Sequence, residues 1–213
     1  MDGVLINTEP LHYQCWVEIF KERYGIDLDY EVYKPCIGST RLHFMNLIKE
    51  KYGITFESLE VMNQIMKEKK DEIIARDGFP EMPGVGQMLC CLKDAGYRLA
   101  VASSSPKPVI TETLETLDLM KYFDVVTSGD EVKNPKPAPD TFLFAAKQLE
   151  CIVIEDSTNG GKAAKEAKMP CIWMHNPDSG DQEISDALFE ITAWTQENIE
   201  KIMKLLHFGQ EKV

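Results

Sequence analysis

The carboxyl-terminal part of the chain, from Val85 onward, alternates between short apolar runs and segments with the spacing of amphipathic helices. The apolar runs show no polar alternation, and we predict strands at residues 97–102, 123–126, 151–154 and 171–174. Strands of this kind are typical of a parallel sheet that helices cover on both faces. We therefore predict an α/β fold with a doubly wound parallel sheet.

Residues 10–79 carry a different pattern, in which apolar side chains recur at helical spacing and no strand-like run interrupts them. A segment rich in glycine and proline follows at residues 78–84 and breaks this pattern. We predict that residues 10–79 form a helical domain, inserted into a core that is made of residues 1–9 and 80–213.

The charge balance limits the partners that this chain can have. With 23 Lys and Arg against 35 Asp and Glu, the formal net charge is −12 at pH 7. A protein with this charge repels phosphate backbones, so we expect no nucleic-acid partner. The apolar runs are far shorter than a membrane span, and the first ten residues do not read as a signal peptide. We expect a cytoplasmic monomer without a membrane partner, in which the six cysteines are reduced.

Polar side chains that suit phosphate chemistry follow the predicted strands. They lie in Asp2-Gly3, Ser103-Ser104-Ser105, Ser128-Gly129-Asp130, Lys136 and Glu155-Asp156-Ser157. Ligands of an open parallel sheet bind at the carboxyl ends of its strands, so these side chains should meet at one edge. Carboxylates from two loops suit Mg²⁺, while a lysine and a hydroxyl group suit the oxygens of a phosphoryl group. One carboxylate can act as a nucleophile that forms an acyl phosphate, and a second can protonate the leaving oxygen and then activate water.

Four segments resemble, in order and spacing, the motifs of the haloacid dehalogenase superfamily. Residues 1–9 are similar to the end of its first motif, which reads apolar strand, Asp-x-Asp-Gly-Val and then Asp/Asn-Thr/Ser. The other three segments are residues 100–103, 134–140 and 152–157. Within the superfamily the chain is most similar to the β-phosphoglucomutase-like phosphatases and mutases. The resemblance implies that the helical insertion is the small cap of that group.

The resemblance also implies a role for each matching residue of the core. Asp2 would be the general acid and base, with its backbone carbonyl on Mg²⁺. Ser103 and Lys136 would hold the transferring phosphoryl group. Asp156, together with Glu155, would complete the metal site. Each residue alone has a simpler reading, as a turn, a helix cap or a solvated loop charge, and only the combination favours the site.

Ser104, Arg41, His12 and Lys69 are further candidates for substrate contacts. Residues 38–41 resemble the substrate loop of the mutases, which would let Arg41 bind a distal phosphate through both arms of its guanidinium. A surface salt bridge is an equally good reading of Arg41. His12 and Lys69 match polar positions of the family less closely, and we favour a local structural role for both.

Three features depart from the family pattern. The family's nucleophile is the Asp two positions before the acid/base residue, and here it would fall immediately before Met1. We expect residues there that read as an apolar strand ending in Asp, and we expect the 213-residue polypeptide without them to be poorly soluble and inactive. Only Glu150 separates the predicted helix at residues 141–149 from the next strand, so either the sequence omits residues there or the gene product is abridged. Lys168 stands where the family has a glycine, and a left-handed backbone there would cost about 1 kcal/mol.

Phosphatases and mutases share all four motifs, so the sequence leaves the reaction open between them. We predict a Mg²⁺-dependent phosphotransferase for small phosphorylated metabolites, in the first place a sugar-phosphate phosphatase with a phosphoaspartyl intermediate. The alternative enzyme is a β-phosphoglucomutase that interconverts β-glucose 1-phosphate and glucose 6-phosphate, and Arg41 is compatible with it. A non-catalytic truncated homologue is the alternative from another class.

Overall fold

The computed structural model describes residues 1–37, 41–146 and 151–210, apart from the side chains of residues 41 and 207–210. The chain divides into two compact units. The α/β unit consists of Met1–Ile6, Glu81–Asn176 and Gln182–Val213, and the helical unit consists of Asn7–Pro80 and Pro177–Asp181. Residues 7–9, Pro80 and Pro177–Asp181, which we predicted to be part of the core, lie in the helical unit.

The helical unit is built on four helices, and within its described residues it contains no strand. These are α1 (Thr8–Tyr24), α2 (Tyr30–Tyr33), α3 (Arg41–Tyr52) and α4 (Leu59–Asp77). The helix α1 ends at Gly25, whose φ of 66° is the left-handed conformation that glycine adopts without strain. An aromatic and aliphatic cluster forms the core of the unit, and in it the ring centroids of Trp16 and Phe44 lie 4.5 Å apart.

The described residues of the α/β unit form five α-helices and a set of parallel strands. Its helices are α5 (Val85–Asp94), α6 (Lys107–Thr116), α7 (Asp140–Ala146), α8 (Thr158–Glu166) and α9 (Gln196–Gln210). Its strands are β1 (Ala100–Ser103), β2 (Val125–Ser128), β3 (Val153–Glu155), β4 (Cys171–Met174) and β5 (Glu190–Ile191). All strand pairs are parallel, which confirms the predicted α/β class, and they form the sheets β1–β2 and β3–β4–β5.

The predicted strand ends are wrong by one or two residues in three of the four strands. Ser103, Ser128 and Glu155 are the last residues of β1, β2 and β3, whereas the sequence pattern set them just after the strands. The apolar runs begin before the hydrogen-bonded ladder does, so hydrophobicity alone starts each strand too early. Because these three residues belong to the ladders, the sheet register fixes their backbones, and Ser103 lies directly opposite Ser128.

An apolar cavity of about 330 Å³ is lined by both β1 and β3. Its lining also includes residues of α5, α7 and α9 and the first residues of the chain, Met1, Val4 and Leu5. Within the described ranges, β1 pairs with β2 alone and β3 pairs with β4 alone, so each has one edge without a strand partner. The cavity therefore lies beside two strand edges that have no strand partner. Buried backbone N–H and C=O groups at such edges need hydrogen-bond partners.

Two residues other than glycine have a left-handed backbone, Asp118 with φ 54° and Lys168 with φ 59°. Lys168 follows α8, where the family pattern has a glycine, and its φ lies in the region that side chains with a Cβ avoid. The strain expected from the sequence at this position is therefore present. In the described part of the chain, no helix has the length and apolar character needed to cross a membrane.

Candidate active site

A tight loop of residues 1–6 sets the position of Asp2. The carbonyl of Met1 accepts hydrogen bonds from the N–H groups of Val4 and Leu5 at 3.2 and 2.8 Å. The indole of Trp194, buried in the α/β unit, donates to the carbonyl of Val4 at 2.9 Å. The loop is thus held both by its own turn and by a side chain from the far end of the chain.

Gly3 allows the carboxylate of Asp156 to approach the backbone beside Asp2. An ideal Cβ on Gly3 would lie 1.9 Å from Oδ2 of Asp156, and the φ of Gly3 is +69°. Any larger residue at this position would displace the carboxylate and strain the turn. Gly3 is therefore needed both for the turn and for the close approach of the Asp156 carboxylate to the backbone.

The serines that follow β1 connect Asp2 to the sheet. The hydroxyl of Ser105 donates to Oδ2 of Asp2 at 3.0 Å, and the N–H of Ser105 donates to Oγ of Ser103 at 3.1 Å. Ser103 is 3 % exposed, while its neighbour Ser104 is exposed to solvent. One short loop thus links a buried hydroxyl group at the strand end to the carboxylate of Asp2.

Lys136 brings a buried positive charge to the same edge. Its ammonium forms an ion pair with Oε1 of Glu155, donates to the carbonyl of Ala102 at 3.2 Å, and lies 4.3 Å from the ring centre of Phe142. The Lys136–Pro137 peptide bond is cis. With the side chains of Lys136 and Glu155 only 7 % and 8 % exposed, water screens this ion pair weakly.

Glu155 lies against the first turn of α8, because Gly160 has no side chain to exclude it. An ideal Cβ on Gly160 would lie 2.0 Å from the carboxyl carbon of Glu155. Oε2 of Glu155 accepts hydrogen bonds from the N–H of Asp156 and from the N–H and hydroxyl of Ser157, at 2.9 to 3.0 Å. Burial raises the pKa of Glu155, but the Lys136 ammonium and the hydrogen bond from Ser157 together hold it well below its usual value.

These contacts join five of the predicted residues into one set. Ser105 links Asp2 to Ser103, Gly3 sets Asp156 beside Asp2, and Glu155 pairs with Lys136. The set consists of Asp2, Ser103, Lys136, Glu155 and Asp156. It combines carboxylates, a hydroxyl group and a buried ammonium at the carboxyl ends of β1 and β3, which can bind a phosphoryl group and exchange protons with it.

Comparison with known proteins assigns this chain to a family. The family model for haloacid dehalogenase-like hydrolases matches residues 1–174. The chain belongs to this family. The resemblance seen in the four sequence motifs is thereby confirmed.

Individual relatives of this hydrolase are phosphatases and phosphomutase-like proteins. A "phosphorylated carbohydrates phosphatase" of Thermotoga maritima is 33% identical, over 97% of this chain and 95% of the relative. The fructose-1-phosphate phosphatase YqaB of Escherichia coli is 28% identical, over 81% of this chain and 92% of the relative. A solved structure of a Thermotoga maritima protein provisionally named a beta-phosphoglucomutase superposes with a TM-score of 0.80 at 31% identity, covering 96% of this chain and 95% of that one. The hydrolase is thus an enzyme of the phosphohydrolase and phosphomutase group.

Two of the predicted substrate contacts in the helical unit of the hydrolase have partners nearby. Nδ1 of His12 lies 3.9 Å from Glu9, one helical turn away. The ammonium of Lys69 lies 2.7 to 3.9 Å from three carboxylates, those of Glu18, Glu22 and Glu72. Both contacts agree with the local structural role that the sequence favoured. The side chain of Arg41 and residues 38–40, which carry the predicted substrate loop, lie outside the described residues, as do residues 147–150 with the short helix-to-strand connection.

Sequence reasoning missed three residues that shape the site of this hydrolase. Ser105 was noted only as part of a serine run, although its hydroxyl reaches Asp2. Phe142 lies in the predicted helix at residues 141–149, and no local pattern indicates that its ring lies under the ammonium of Lys136. Trp194 contacts a carbonyl 190 residues away along the chain, and no local pattern signals such a contact.

The donor atoms of this site suit a hard cation such as Mg²⁺. Asp156 presents a carboxylate beside the Asp2-Gly3 backbone, and oxygen atoms of this kind are the ligands that Mg²⁺ prefers. Among the residues that the structure describes, no group of three or more His, Cys, Asp or Glu is arranged to hold a metal ion. The oxygens therefore fit in kind, and the metal assignment stays a prediction.

Proposed function

We propose that the protein is a Mg²⁺-dependent phosphatase of small phosphorylated metabolites, in the first place of sugar phosphates. The observation that carries the proposal is the buried ammonium of Lys136. It is held by the carbonyl of Ala102, the neighbour of Ser103 in β1, and by Glu155, the neighbour of Asp156. A cation and a hydroxyl group in this position neutralise the charge that develops on phosphoryl oxygens. The named activities of the Thermotoga and Escherichia relatives support a phosphorylated carbohydrate as substrate.

In the proposed reaction, Asp2 moves the proton twice. When a carboxylate attacks phosphorus, the bond from phosphorus to the sugar oxygen breaks, and Asp2 delivers its proton to that oxygen. In the second step water attacks the acyl phosphate, Asp2 takes the proton from the water, and inorganic phosphate leaves. Ser103 and Lys136 hold the phosphoryl oxygens throughout.

The attacking carboxylate in this proposal is an Asp that immediately precedes Met1, at the end of an apolar strand. The cavity lined by β1 and β3 supports it, because an apolar strand entering at Met1 would fill the cavity and pair with both open edges. We refer to the chain with such a strand as the extended protein. The extended protein should be soluble and active, and its Asp→Asn variant should be folded and inactive. Turnover by the 213-residue chain, with its intact mass verified, would contradict this part of the proposal.

Asp2, through its carbonyl, and Asp156 are the proposed Mg²⁺ ligands, with Glu155 as a third. Bound Mg²⁺ supplies positive charge that offsets repulsion between the carboxylates and the substrate phosphate. We expect turnover of the extended protein to disappear on exhaustive chelation and to return with added Mg²⁺. Activity that survives chelation would contradict the metal assignment.

A β-phosphoglucomutase is the second candidate, and the solved Thermotoga structure with a TM-score of 0.80 favours it. A mutase must keep its phosphoenzyme until the bisphosphate intermediate has turned around, which requires slow hydrolysis and a grip on a second phosphate. The deciding assay supplies β-glucose 1-phosphate with a trace of the bisphosphate. Glucose 6-phosphate as the product supports the mutase, whereas free phosphate from several sugar phosphates supports the phosphatase. Full activity of an Arg41→Ala variant would remove the proposed phosphate contact from either scheme.

The non-catalytic alternative is tested by the same assays. An extended protein that binds sugar phosphates but neither hydrolyses nor isomerises them would support it. We further propose that the enzyme acts as a cytoplasmic monomer, which gel filtration and fractionation of the source cells test directly.

A further inference from the structure

We propose that Ser105 is a positioning residue for Asp2: its hydroxyl group holds one oxygen of the carboxylate, so that the proton for the leaving group is carried on the other. The inference rests on the proposed role of Asp2 as general acid and base. The contact itself is direct, with Oγ of Ser105 3.0 Å from Oδ2 of Asp2.

Ser105 is held in place by its neighbours through both of its backbone groups. Its N–H donates to Oγ of Ser103 at 3.1 Å, and its carbonyl accepts from the hydroxyl of Ser128 at 2.8 Å. Ser128 is fully buried, and its own N–H donates to Oε2 of Glu131 at 2.8 Å. The backbone of Ser105 is therefore tied to the ends of β1 and β2, and its hydroxyl group is presented to Asp2 from a fixed point.

A fixed donor has two consequences for a carboxylate that acts as an acid. It restrains rotation of the carboxyl group, which otherwise exchanges the two oxygens freely. It also makes the accepting oxygen, Oδ2, the less favourable place for a proton, because a hydroxyl group already donates there. The proton is thus kept on Oδ1 in one orientation, which is the preorganisation that a general acid requires.

The dependence on the leaving group separates this role from a merely structural one. A sugar oxygen leaves poorly unless it is protonated, whereas p-nitrophenolate leaves readily without a proton. Hydrolysis of the acyl phosphate is common to both substrates, so the comparison uses kcat/KM, which reports the first step. Loss of positioning should lower kcat/KM with a sugar phosphate and leave kcat/KM with p-nitrophenyl phosphate nearly unchanged. Damage to the fold would slow both reactions alike.

The experiment measures kcat and KM of the extended protein with glucose 6-phosphate and with p-nitrophenyl phosphate. For Ser105→Ala we expect kcat/KM to fall about tenfold with glucose 6-phosphate and to stay within about twofold with p-nitrophenyl phosphate. Ser105→Thr, which retains a hydroxyl group, should recover most of the loss. The matched control is Ser185→Ala, at an exposed serine of the same unit, and it should behave like the unaltered protein.

Three results would overturn the inference while leaving the proposed function intact. These are an equal loss of kcat/KM with both substrates in Ser105→Ala, an unchanged kcat/KM with glucose 6-phosphate, and a failure of Ser105→Thr to recover more activity than Ser105→Ala. Absence of turnover in the unaltered extended protein would instead overturn the proposed function, and the positioning role with it.

Discussion

Among the described residues, each unit contains a lysine whose side chain is largely buried, Lys136 in one and Lys69 in the other, and the two have opposite surroundings. In the α/β unit, Lys136 faces a single carboxylate, that of Glu155, which is as buried as the lysine itself. In the helical unit, Lys69 is 10 % exposed, but the carboxylates of Glu18, Glu22 and Glu72 that surround it are 23 %, 57 % and 57 % exposed.

The difference in the exposure of the partner carboxylates predicts different effects when each lysine is lost. A buried pair that loses one partner leaves a charge that water cannot reach, whereas exposed carboxylates that lose a lysine are simply solvated. Stored electrostatic energy is therefore concentrated in the α/β unit, at the edge that carries Ser103 and Asp2. In the helical unit, the ion pairs of Lys69 connect α1 to α4, and their loss would lower the stability only slightly.

The backbone shows the same contrast. In the helical unit, every described residue with positive φ is a glycine, Gly25 and Gly53 at the ends of helices among them. In the α/β unit, Asp118 and Lys168 take the left-handed conformation although they carry a Cβ. The helical unit thus has glycine wherever its described backbone is left-handed, whereas the α/β unit has backbone strain at Asp118 and Lys168.

The largest expected effect is that of Lys136→Met, which leaves Glu155 buried without its partner. The free energy of unfolding of the extended protein should fall by about 3–5 kcal/mol, and turnover should be lost. Chemical denaturation and a phosphate-release assay measure the two effects. The double variant Lys136→Met/Glu155→Gln should regain much of the stability and none of the turnover. Unfolding of Lys136→Met at the wild-type denaturant concentration would contradict the proposed contrast between the two lysines.

Lys168→Gly should stabilise the protein, because it relieves the left-handed strain at the end of α8. We expect a gain of about 1 kcal/mol in the free energy of unfolding, measured by denaturant titration. The matched control is Gly25→Ala in the helical unit, where the backbone has a φ of 66° and an added Cβ meets no atom within 4 Å. That change should lower stability by a similar amount, for conformational reasons alone. If both variants changed the free energy of unfolding in the same direction, the proposed contrast in backbone strain would be wrong.

Lys69→Met keeps the aliphatic length of the side chain and removes its charge. Because the three carboxylates around it are partly solvated, we expect a loss of only about 0.5–1 kcal/mol and no change in KM for sugar phosphates. Thermal unfolding and steady-state kinetics measure both quantities. A KM raised about tenfold would reinstate Lys69 as a substrate contact.

The smallest expected effect is a pH dependence in the helical unit. The hydrogen bond from Arg76 holds the pKa of Glu18 below its usual value of 4.5, with burial opposing and Gln14 and Lys69 adding to the shift. Since the folded pKa is lowered, the stabilisation is complete above pH 4.5 and is lost as the pH falls through the folded value. The stability difference between the wild type and Glu18→Gln should be below about 1 kcal/mol at neutral pH and should shrink in acid. A difference that grows below pH 4.5 would contradict this sign.

Local patterns in the sequence were sufficient to predict four of the five strands and the edge where the site lies, whereas β5 was not predicted. The strand β4 was predicted at its observed bounds. Ser103, Lys136 and Asp156 could be grouped because parallel strands bring their carboxyl ends to one edge, which follows from the alternation of strands and helices alone.

Contacts between distant segments could be decided only by the tertiary structure. Nothing in the sequence pairs Glu155 with Lys136 in place of solvent, sets the hydroxyl of Ser105 on Asp2, or brings Trp194 to the carbonyl of Val4. Likewise, Pro177–Asp181 follows a core strand in sequence and yet belongs to the helical unit, where Asn7 donates to Asp178 at 2.7 Å. Periodicity and capping report on neighbours within a few residues along the chain, whereas a hydrogen bond across 100 residues or more depends on how whole elements pack, which no local pattern encodes.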